Sequence, residues 1–180
     1  MKTRESLHKF EETANHYRQE LDHFSLEQLT RQPSENEWSL GQMIQHLINS
    51  ALYMQLRNVE LCMTANGNDA DPAAVKTEAG MALFEQGSFP PVRIQVPPSP
   101  QYTPEQPASK EHLVQGLNMV IQRMREVEPT LDQVYPSHTV AHPRFGAMNA
   151  TEWYLLIEMH YRHHLLQLDR LKAFLGLPVQ

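Results

Sequence analysis

Cysteine is nearly absent from this chain, and Cys62 is the only one. A single cysteine cannot form an internal disulfide, so the fold must depend on packing, with or without a bound metal. Cys62 lies beside Leu61 and Met63 in a helical pattern. This placement favours a small buried apolar group over a catalytic thiol.

The chain also lacks the excess of positive charge that is typical of proteins that bind nucleic acids. Fifteen Lys and Arg residues stand against twenty-one Asp and Glu residues, for a formal net charge of -6. No apolar run approaches the roughly 20 residues that span a membrane, and the first residues carry no apolar core of a secretory signal. We therefore expect a cytoplasmic protein whose partners are neither nucleic acids nor membranes.

Apolar residues at helical spacing are abundant in the chain. Its 180 residues, of which 41% are hydrophobic, suffice for one domain with a sizeable core, so we treat residues 1–180 as a single domain. Apolar positions recur every three or four residues over about 7–24, 39–63, 109–129 and 149–175, which predicts four long amphipathic helices. Residues 25–28 (SLEQ) are compatible with a capped short turn, and Ser39 and Asn149 are followed three residues later by Gln42 and Glu152, which predicts capping boxes.

Prolines are concentrated between the second and third predicted helices. Eight of the thirteen lie from Pro72 to Pro107, so this stretch must be mostly loop. Residues 72–86 are compatible with a helix that has Pro in its first turn, whereas residues 87–108 are expected to be extended, as a crossover or as a cover over a pocket. A second linker is expected over 131–148. The sequence thus predicts an all-α four-helix bundle with a long Pro-rich crossover.

Histidine is the unusual component, with ten in the chain. Placing successive residues about 100° apart puts His160 and His164 in the middle of the apolar stripe of the last helix. Glu158, Arg162 and Asp169 fall on the opposite side, which we interpret as the solvent face. The apolar residues of the stripe are Trp153, Leu156, Ile157, Leu168, Leu171, Phe174 and Leu175.

Two buried imidazoles one turn apart need partners, because an unpaired buried polar group costs on the order of a few kcal/mol. Residues four positions apart point the same way, so each imidazole could supply one nitrogen to a single metal ion. Hydrogen bonds to neighbouring helices would also satisfy the two rings. His46 is the best third candidate, since it lies about 60° beyond Met43 at the edge of the second helix's apolar stripe. The two explanations remain open on spacing alone.

The other histidines give weaker signals. His138 and His142 are also four residues apart, but Pro136 and Pro143 make their segment a poor helix, so this spacing carries little geometric information. The remaining candidates lie outside or at the margin of their apolar patterns and are expected to be solvated. These are His8, His16, His23 and His112.

Two short motifs resemble a known family. Trp38-Ser39 is followed by His46-Leu47, and residues 160–167 read HYRHHLLQ; upstream, residues 142–146 (HPRFG) and 151–153 (TEW) lead into the last helix. In this order they resemble the DinB/YfiT-like superfamily of small helical bundles, particularly its DinB-2 type. The C-terminal motif is the more specific of the two.

The resemblance implies a three-histidine site formed by His46, His160 and His164, in a bundle that is often a homodimer. Nickel and zinc are the first candidates for the ion, followed by iron, manganese and copper; neutral imidazoles alone do not choose among these metals. The resemblance also implies metal-dependent hydrolysis or transfer of a low-molecular-weight thiol to an electrophile. The substrate would be a small molecule, which in the second case includes a thiol.

Four further residues are candidates for supporting the site or lining a pocket. Gln167 lies one turn beyond His164 and could orient a ligand or tie two helices together, while His163 flanks the pair. Asn49 and Tyr53 follow His46 by one and two turns, and either is compatible with a pocket or with solvent. No general base is evident, nor any G-x-S-x-G, Gly-rich phosphate loop or H-E-x-x-H motif. The alternative is therefore a non-catalytic bundle that acts as an interaction module with a structural or incidental metal.

Overall fold

A computed structural model describes residues 2–64, 74–93 and 99–177, which are predominantly helical. Eight α-helices and one two-stranded sheet are found in these ranges. The elements are α1 (Thr3–Leu21), α2 (Leu26–Thr30), α3 (Leu40–Ser50), α4 (Leu56–Thr64), α5 (Glu78–Gln86), α6 (Lys110–Val127), β1 (Thr139–His142), β2 (Gly146–Asn149), α7 (Ala150–His163) and α8 (Leu165–Phe174). A π-helical turn (Ala51–Gln55) joins α3 to α4, and a 3-10 turn (Glu128–Gln133) follows α6.

The long helices pack against one another as an all-α bundle, as the sequence predicts. Helix α1 contacts α6 and α7, while α3 contacts α6 and α4 contacts α7. The apolar stripe of α1 is buried, including Phe10, Ala14 and Tyr17, and the ring of Tyr161 from α7 packs edge-on to those of Phe10 and Tyr17. Burial of such faces is the main favourable contribution to a helical fold. Among the helices of the described ranges, none is both long and apolar enough to cross a bilayer.

Three capping boxes fix where helices begin. Ser25 is the N-cap of α2, Ser39 that of α3 and Asn149 that of α7. In each box the side chain of the cap accepts from the backbone N–H of the residue three positions on. The side chain of that residue accepts in return from the backbone N–H of the cap. Each box satisfies two backbone donors that a helix otherwise leaves unpaired. The capping boxes predicted at Ser39 and Asn149 are confirmed, as is the capped turn over residues 25–28.

The second predicted helix is present, but it is not uniform. It begins at Leu40 and ends at Thr64, close to the expected bounds, and its middle turn from Ala51 to Gln55 is π-helical. A π-turn inserts one residue and shifts every following side chain around the axis. The faces of α3 and α4 are therefore not in register, and a single helical projection from Ser39 onward does not hold beyond Ser50.

Part of the second linker forms a β-hairpin, which the sequence analysis did not expect. Strands β1 and β2 pair antiparallel from Thr139 opposite Asn149 to His142 opposite Gly146. The stretch from Val75 to Thr77 lies against the hairpin: the N–H of Thr77 donates to the carbonyl of Phe145 (3.0 Å), and the N–H of Ala147 donates to that of Val75 (3.0 Å). Gly146 has φ +74°, and an added Cβ would lie 2.5 Å from the Val75 carbonyl oxygen. Glycine is therefore required here.

The Pro-rich region contributes one helix and a segment that packs against the start of α3. Helix α5 begins at Glu78 with Thr77 as its N-cap, so the predicted helix over 72–86 is shorter than expected; Pro72 lies outside the described residues. C-terminal to residue 98, the Gln106 side chain accepts from the Ser39 hydroxyl (2.8 Å), and the Gln42 amide donates to the Pro104 carbonyl (2.9 Å). These bonds hold residues 104–106 against the start of α3. The full path of the predicted crossover lies partly outside the described residues.

The last predicted helix differs from expectation in two respects. It divides at His164, where α7 ends and α8 begins. Glu158, expected at the solvent face, is 1% exposed, and Arg162 binds it through two hydrogen bonds of 2.8 and 2.9 Å. The same guanidinium donates to the carbonyl of Gly87, just after α5 (2.7 Å). The assignment of Glu158 to solvent was therefore wrong: Arg162 binds its carboxylate and is itself tied to the segment just after α5.

Candidate metal centre

His46, His160 and His164 converge at one point of the bundle. The Nε2 atom of His160 lies 3.1 Å from Nε2 of His46 and 3.1 Å from Nε2 of His164. One ligand atom from each residue lies within 4.8 Å of the other two, and all three side chains are partly buried. The three residues that the sequence analysis selected are thus brought together by the fold.

Two separate parts of the chain position these rings. His46 lies in α3, whose start is fixed by the Ser39 cap, and it precedes the π-turn by one helical turn. His160 belongs to the last turn of α7, and His164 is the junction residue between α7 and α8. The N–H of His164 still donates to the carbonyl of His160 (3.2 Å), so the break does not separate the two rings. His160 and His164 therefore still lie one helical turn apart on the same side of the chain, as their four-residue spacing predicts.

Hydrogen bonds to the outer ring nitrogens orient the inner ones. Nδ1 of His164 lies 2.8 Å from the amide oxygen of Gln167, which can only accept, so Nδ1 carries the proton and Nε2 presents a lone pair to the cluster. Nδ1 of His46 lies 3.5 Å from the Ser50 hydroxyl. Nδ1 of His160 is buried with no hydrogen-bond partner among the described residues. Gln167 thus acts on His164 in the way that outer partners orient metal-binding imidazoles.

The environment keeps all three imidazoles neutral near pH 7. Burial, followed by charge repulsion with His164, lowers the pKa of His46 to about 3. Burial also lowers the pKa of His164 to about 4, with the hydrogen bond to Gln167 opposing the shift. Burial and the neighbouring histidines lower the pKa of His160 well below its ordinary value. A neutral imidazole is the form that ligates a metal.

The donor set fits a metal ion better than it fits a network of hydrogen bonds. Nε2 of His160 faces the Nε2 atoms of His46 and His164, and Nε2 of His164 carries a lone pair and no proton. A neutral His160 has at most one Nε2 proton, so it cannot satisfy both contacts. A cation can. Three nitrogens about 2.0–2.1 Å from a tetrahedral ion lie roughly 3.4 Å apart, close to the observed 3.1 Å contacts.

A cavity of about 350 Å³ opens beside the cluster, and all three histidines line it. Aromatic rings border them: the centroid of Trp38 lies 4.9 Å from that of His46, and Phe89 lies 6.0 Å from His160 and 5.2 Å from His163. Phe89 lies two residues after Gly87, whose carbonyl accepts from Arg162, so this hydrogen bond ties the segment that carries the ring to α7. A space of this size suits a small molecule.

The four predicted supporting residues divide into two groups. Gln167 and His163 line the cavity, and Gln167 bonds His164 directly. The Asn49 amide oxygen instead accepts from Gln45 (2.8 Å), and the Tyr53 side chain is 70% exposed; neither is among the residues that line the cavity. Of the other histidines, His8, His23 and His112 are exposed and His16 is partly buried.

Several cavity residues were not found by the sequence analysis. Arg170 is exposed and lines the cavity, and it continues a spacing of four and three from His163 through Gln167. This helical spacing was a usable signal. Arg93 and Glu37 also line the cavity and form an ion pair with each other. They come from two irregular segments far apart in the sequence, where no periodicity indicates a shared site.

Comparison with known proteins identifies the family of the chain. A family model described as DinB superfamily matches residues 9–168, which include all three clustered histidines. No curated protein and no solved structure matches the chain. Since the family model covers most of the 180 residues, the chain belongs to the DinB superfamily.

Proposed function

We propose that His46, His160 and His164 bind one divalent metal ion, and that the protein is a metal-dependent enzyme acting on a small molecule. The observation that supports this most is the convergence of three neutral imidazole Nε2 atoms at the wall of a cavity of about 350 Å³. Nickel or zinc is the expected ion. Both accept imidazole nitrogen in the geometries that three such ligands allow.

The number of ligands favours a catalytic site over a structural one. In the part of the chain that the structure describes, no fourth His, Cys, Asp or Glu joins the three histidines. Structural zinc sites are closed by four protein ligands, whereas catalytic sites keep a position for water or substrate. All three rings line the cavity, so the free coordination position of a bound ion would face it.

Among the described residues, the cavity lining offers no unpaired carboxylate that could act as a general base. Within the described ranges, Glu37 is the only carboxylate that lines the cavity, and it is paired with Arg93 and bonded by the Ser34 hydroxyl (3.1 Å). A divalent ion would act as a Lewis acid and lower the pKa of a bound water or thiol. Metal-dependent hydrolysis and transfer of a low-molecular-weight thiol to an electrophile both use a nucleophile made in this way, and we propose that the reaction is one of these two.

Cobalt substitution tests whether the site is open. With Co(II) bound to the three histidines, addition of imidazole, azide or a small thiol should change the visible absorption spectrum, because each would enter the free position. The His164→Ala variant is the control and should lose the original spectrum. If no small ligand changes the spectrum of the wild type, the ion is closed off and its role is structural.

An activity screen tests the reaction class. The metal-loaded protein would be incubated with pairs of thiols and electrophiles, and separately with simple amides and esters. Turnover should disappear after chelation and in the His160→Ala variant, and return on addition of metal to the wild type. Turnover that is equal with and without metal would contradict a metal-dependent reaction.

A further inference from the structure

The charged residues of the cavity are not balanced. Arg93 and Arg170 both line it, and Glu37 is the only acidic residue that does so in the part of the chain that the structure describes. The ion pair with Glu37 neutralises Arg93. Arg170 has no carboxylate within ion-pair distance in the described ranges. With neutral histidines, the cavity has a net charge of about +1, in a chain whose net charge is -6.

This excess charge is placed where it would act on a bound molecule. Arg170 is exposed and lines the cavity, so it lies at the opening. Burial and charge repulsion with Arg93 lower its pKa, although a guanidinium remains charged at neutral pH. A nearby anion would relieve this repulsion. A concave site of one sign raises the local concentration of ligands of the opposite sign.

The rest of the lining is largely apolar. Trp38, Phe89 and Phe174 contribute aromatic rings, and Leu166 and Leu171 contribute aliphatic surface. Phe174 and Leu166 are 42% and 47% exposed, so they remain available for contact with a ligand. A ligand that fills the cavity must therefore have an apolar body as well as any charged group.

We propose that the cavity binds small organic carboxylates, with the carboxylate at Arg170 and an apolar or aromatic body among Trp38, Phe89 and Phe174. The planar guanidinium presents two parallel N–H donors that match the two oxygens of a carboxylate. This inference rests on the proposed function, since it names the substrate class of the same site. A bound divalent ion would increase the positive charge and strengthen the preference for anions.

The test uses a matched acid and amide. Binding of 3-phenylpropionate and of uncharged 3-phenylpropanamide would be measured by calorimetry on the full-length protein, both zinc-loaded and metal-free. We expect the acid to bind about tenfold more tightly or better, in line with hydrogen bonds to charged groups. Arg170→Gln should remove most of this preference in both forms without changing zinc content or melting temperature. Arg57→Gln, which alters an exposed arginine outside the cavity, should retain it.

Three outcomes would overturn the inference: equal affinity for acid and amide in the wild type, an unchanged preference in Arg170→Gln, or no binding of either compound at millimolar concentration. Failure of the proposed function would look different. In that case the protein would not bind zinc, while the metal-free protein would still prefer the acid through Arg170. A preference that appears only with zinc and survives Arg170→Gln would show that the carboxylate ligates the metal, and would also refute the role of Arg170.

Discussion

His138 and His142 have the same four-residue spacing as His160 and His164, but they lie before and at the end of β1 rather than along a helix. The rings of His160 and His164 meet with their Nε2 atoms 3.1 Å apart. By contrast, His138 is 4% exposed and its Nδ1 contacts the carbonyl of Cys62 (3.2 Å), whereas His142 packs its ring on Phe145. Equal spacing therefore produces a shared site in one pair and two unrelated packing roles in the other.

The outer nitrogens explain the difference in chemistry. Nδ1 of His142 accepts from the backbone N–H groups of Arg144 (3.0 Å) and Phe145 (3.3 Å), so its lone pair is used to shape the hairpin turn. Nδ1 of His164 instead donates to Gln167, which leaves its Nε2 lone pair free. Because Nδ1 of His142 accepts, the proton of its neutral ring lies on Nε2 and neither nitrogen keeps a free lone pair, whereas His164 keeps one on Nε2.

The largest expected effect is on metal content, which should fall when His160 or His164 is replaced but not when His138 or His142 is replaced. His160 has the central Nε2 of the cluster, so His160→Ala should reduce metal content from about one ion per chain to nearly none. His138→Ala and His142→Ala should leave it unchanged. Metal would be measured by elemental analysis of purified protein, with His16→Ala and His112→Ala as surface controls. Stoichiometric metal in the His160→Ala, His164→Ala double variant would contradict the assignment of the site.

The second effect is a dependence of stability on pH in the metal-free protein. Folding lowers the pKa of His46 to about 3 and that of His164 to about 4, from ordinary values near 6.5. Below about pH 6.5 the unfolded chain binds protons that the folded chain does not, so stability must fall as pH decreases toward 4. Urea unfolding at pH 7.5 and pH 5 in the presence of chelator should show a lower midpoint at pH 5.

The same pH comparison has its own control. The His46→Gln, His164→Gln double variant removes two of the shifted groups, so its midpoint should change less between pH 7.5 and pH 5. If the variant and the wild type lose stability equally over this interval, the two imidazoles are not the groups that titrate.

The sequence predicts these features to different extents because some are local and others depend on distant contacts. The capping boxes at Ser39 and Asn149 join residues three apart, and His160 and His164 share one helical turn, so each follows from spacing. Arg162, which binds the buried Glu158, is held by the distant Gly87 carbonyl just after α5, and the hairpin is contacted by residues 75–77 from another part of the chain. No pattern within the last helix or the linker contains that information.

His138 and His142 should also differ from each other in how much they contribute to stability. His138 is buried and its Nδ1 is the partner of the Cys62 carbonyl, so His138→Ala leaves that acceptor unsatisfied and opens a cavity. We expect a loss of about 1–3 kcal/mol in the free energy of unfolding. His142 is only partly buried, so His142→Ala should cost less, about 1 kcal/mol. Denaturant unfolding of the zinc-loaded proteins measures both, and a larger loss in His142→Ala would reverse this ranking.

The last effect concerns zinc affinity and Gln167, the residue that separates the role of His164 from that of His142. Gln167→Ala removes the acceptor for Nδ1 of His164, so the ring loses its fixed tautomer and orientation while all three ligands remain. Loss of such a partner typically weakens metal binding by about 10- to 100-fold. The dissociation constant for zinc, measured by competition with a chelator, should rise by this factor, whereas metal content at saturating zinc should not change. Gln167→Glu keeps an acceptor oxygen and should retain the affinity.

Gln45→Ala provides the matched control for this measurement, because Gln45 neighbours His46 in α3 but its amide bonds Asn49 rather than a histidine. Its zinc affinity should equal that of the wild type. An unchanged affinity in Gln167→Ala would mean that the 2.8 Å contact with His164 does not hold the ring for the metal. Helix spacing alone would then be enough to distinguish His160 and His164 from His138 and His142, with no contribution from the outer nitrogens.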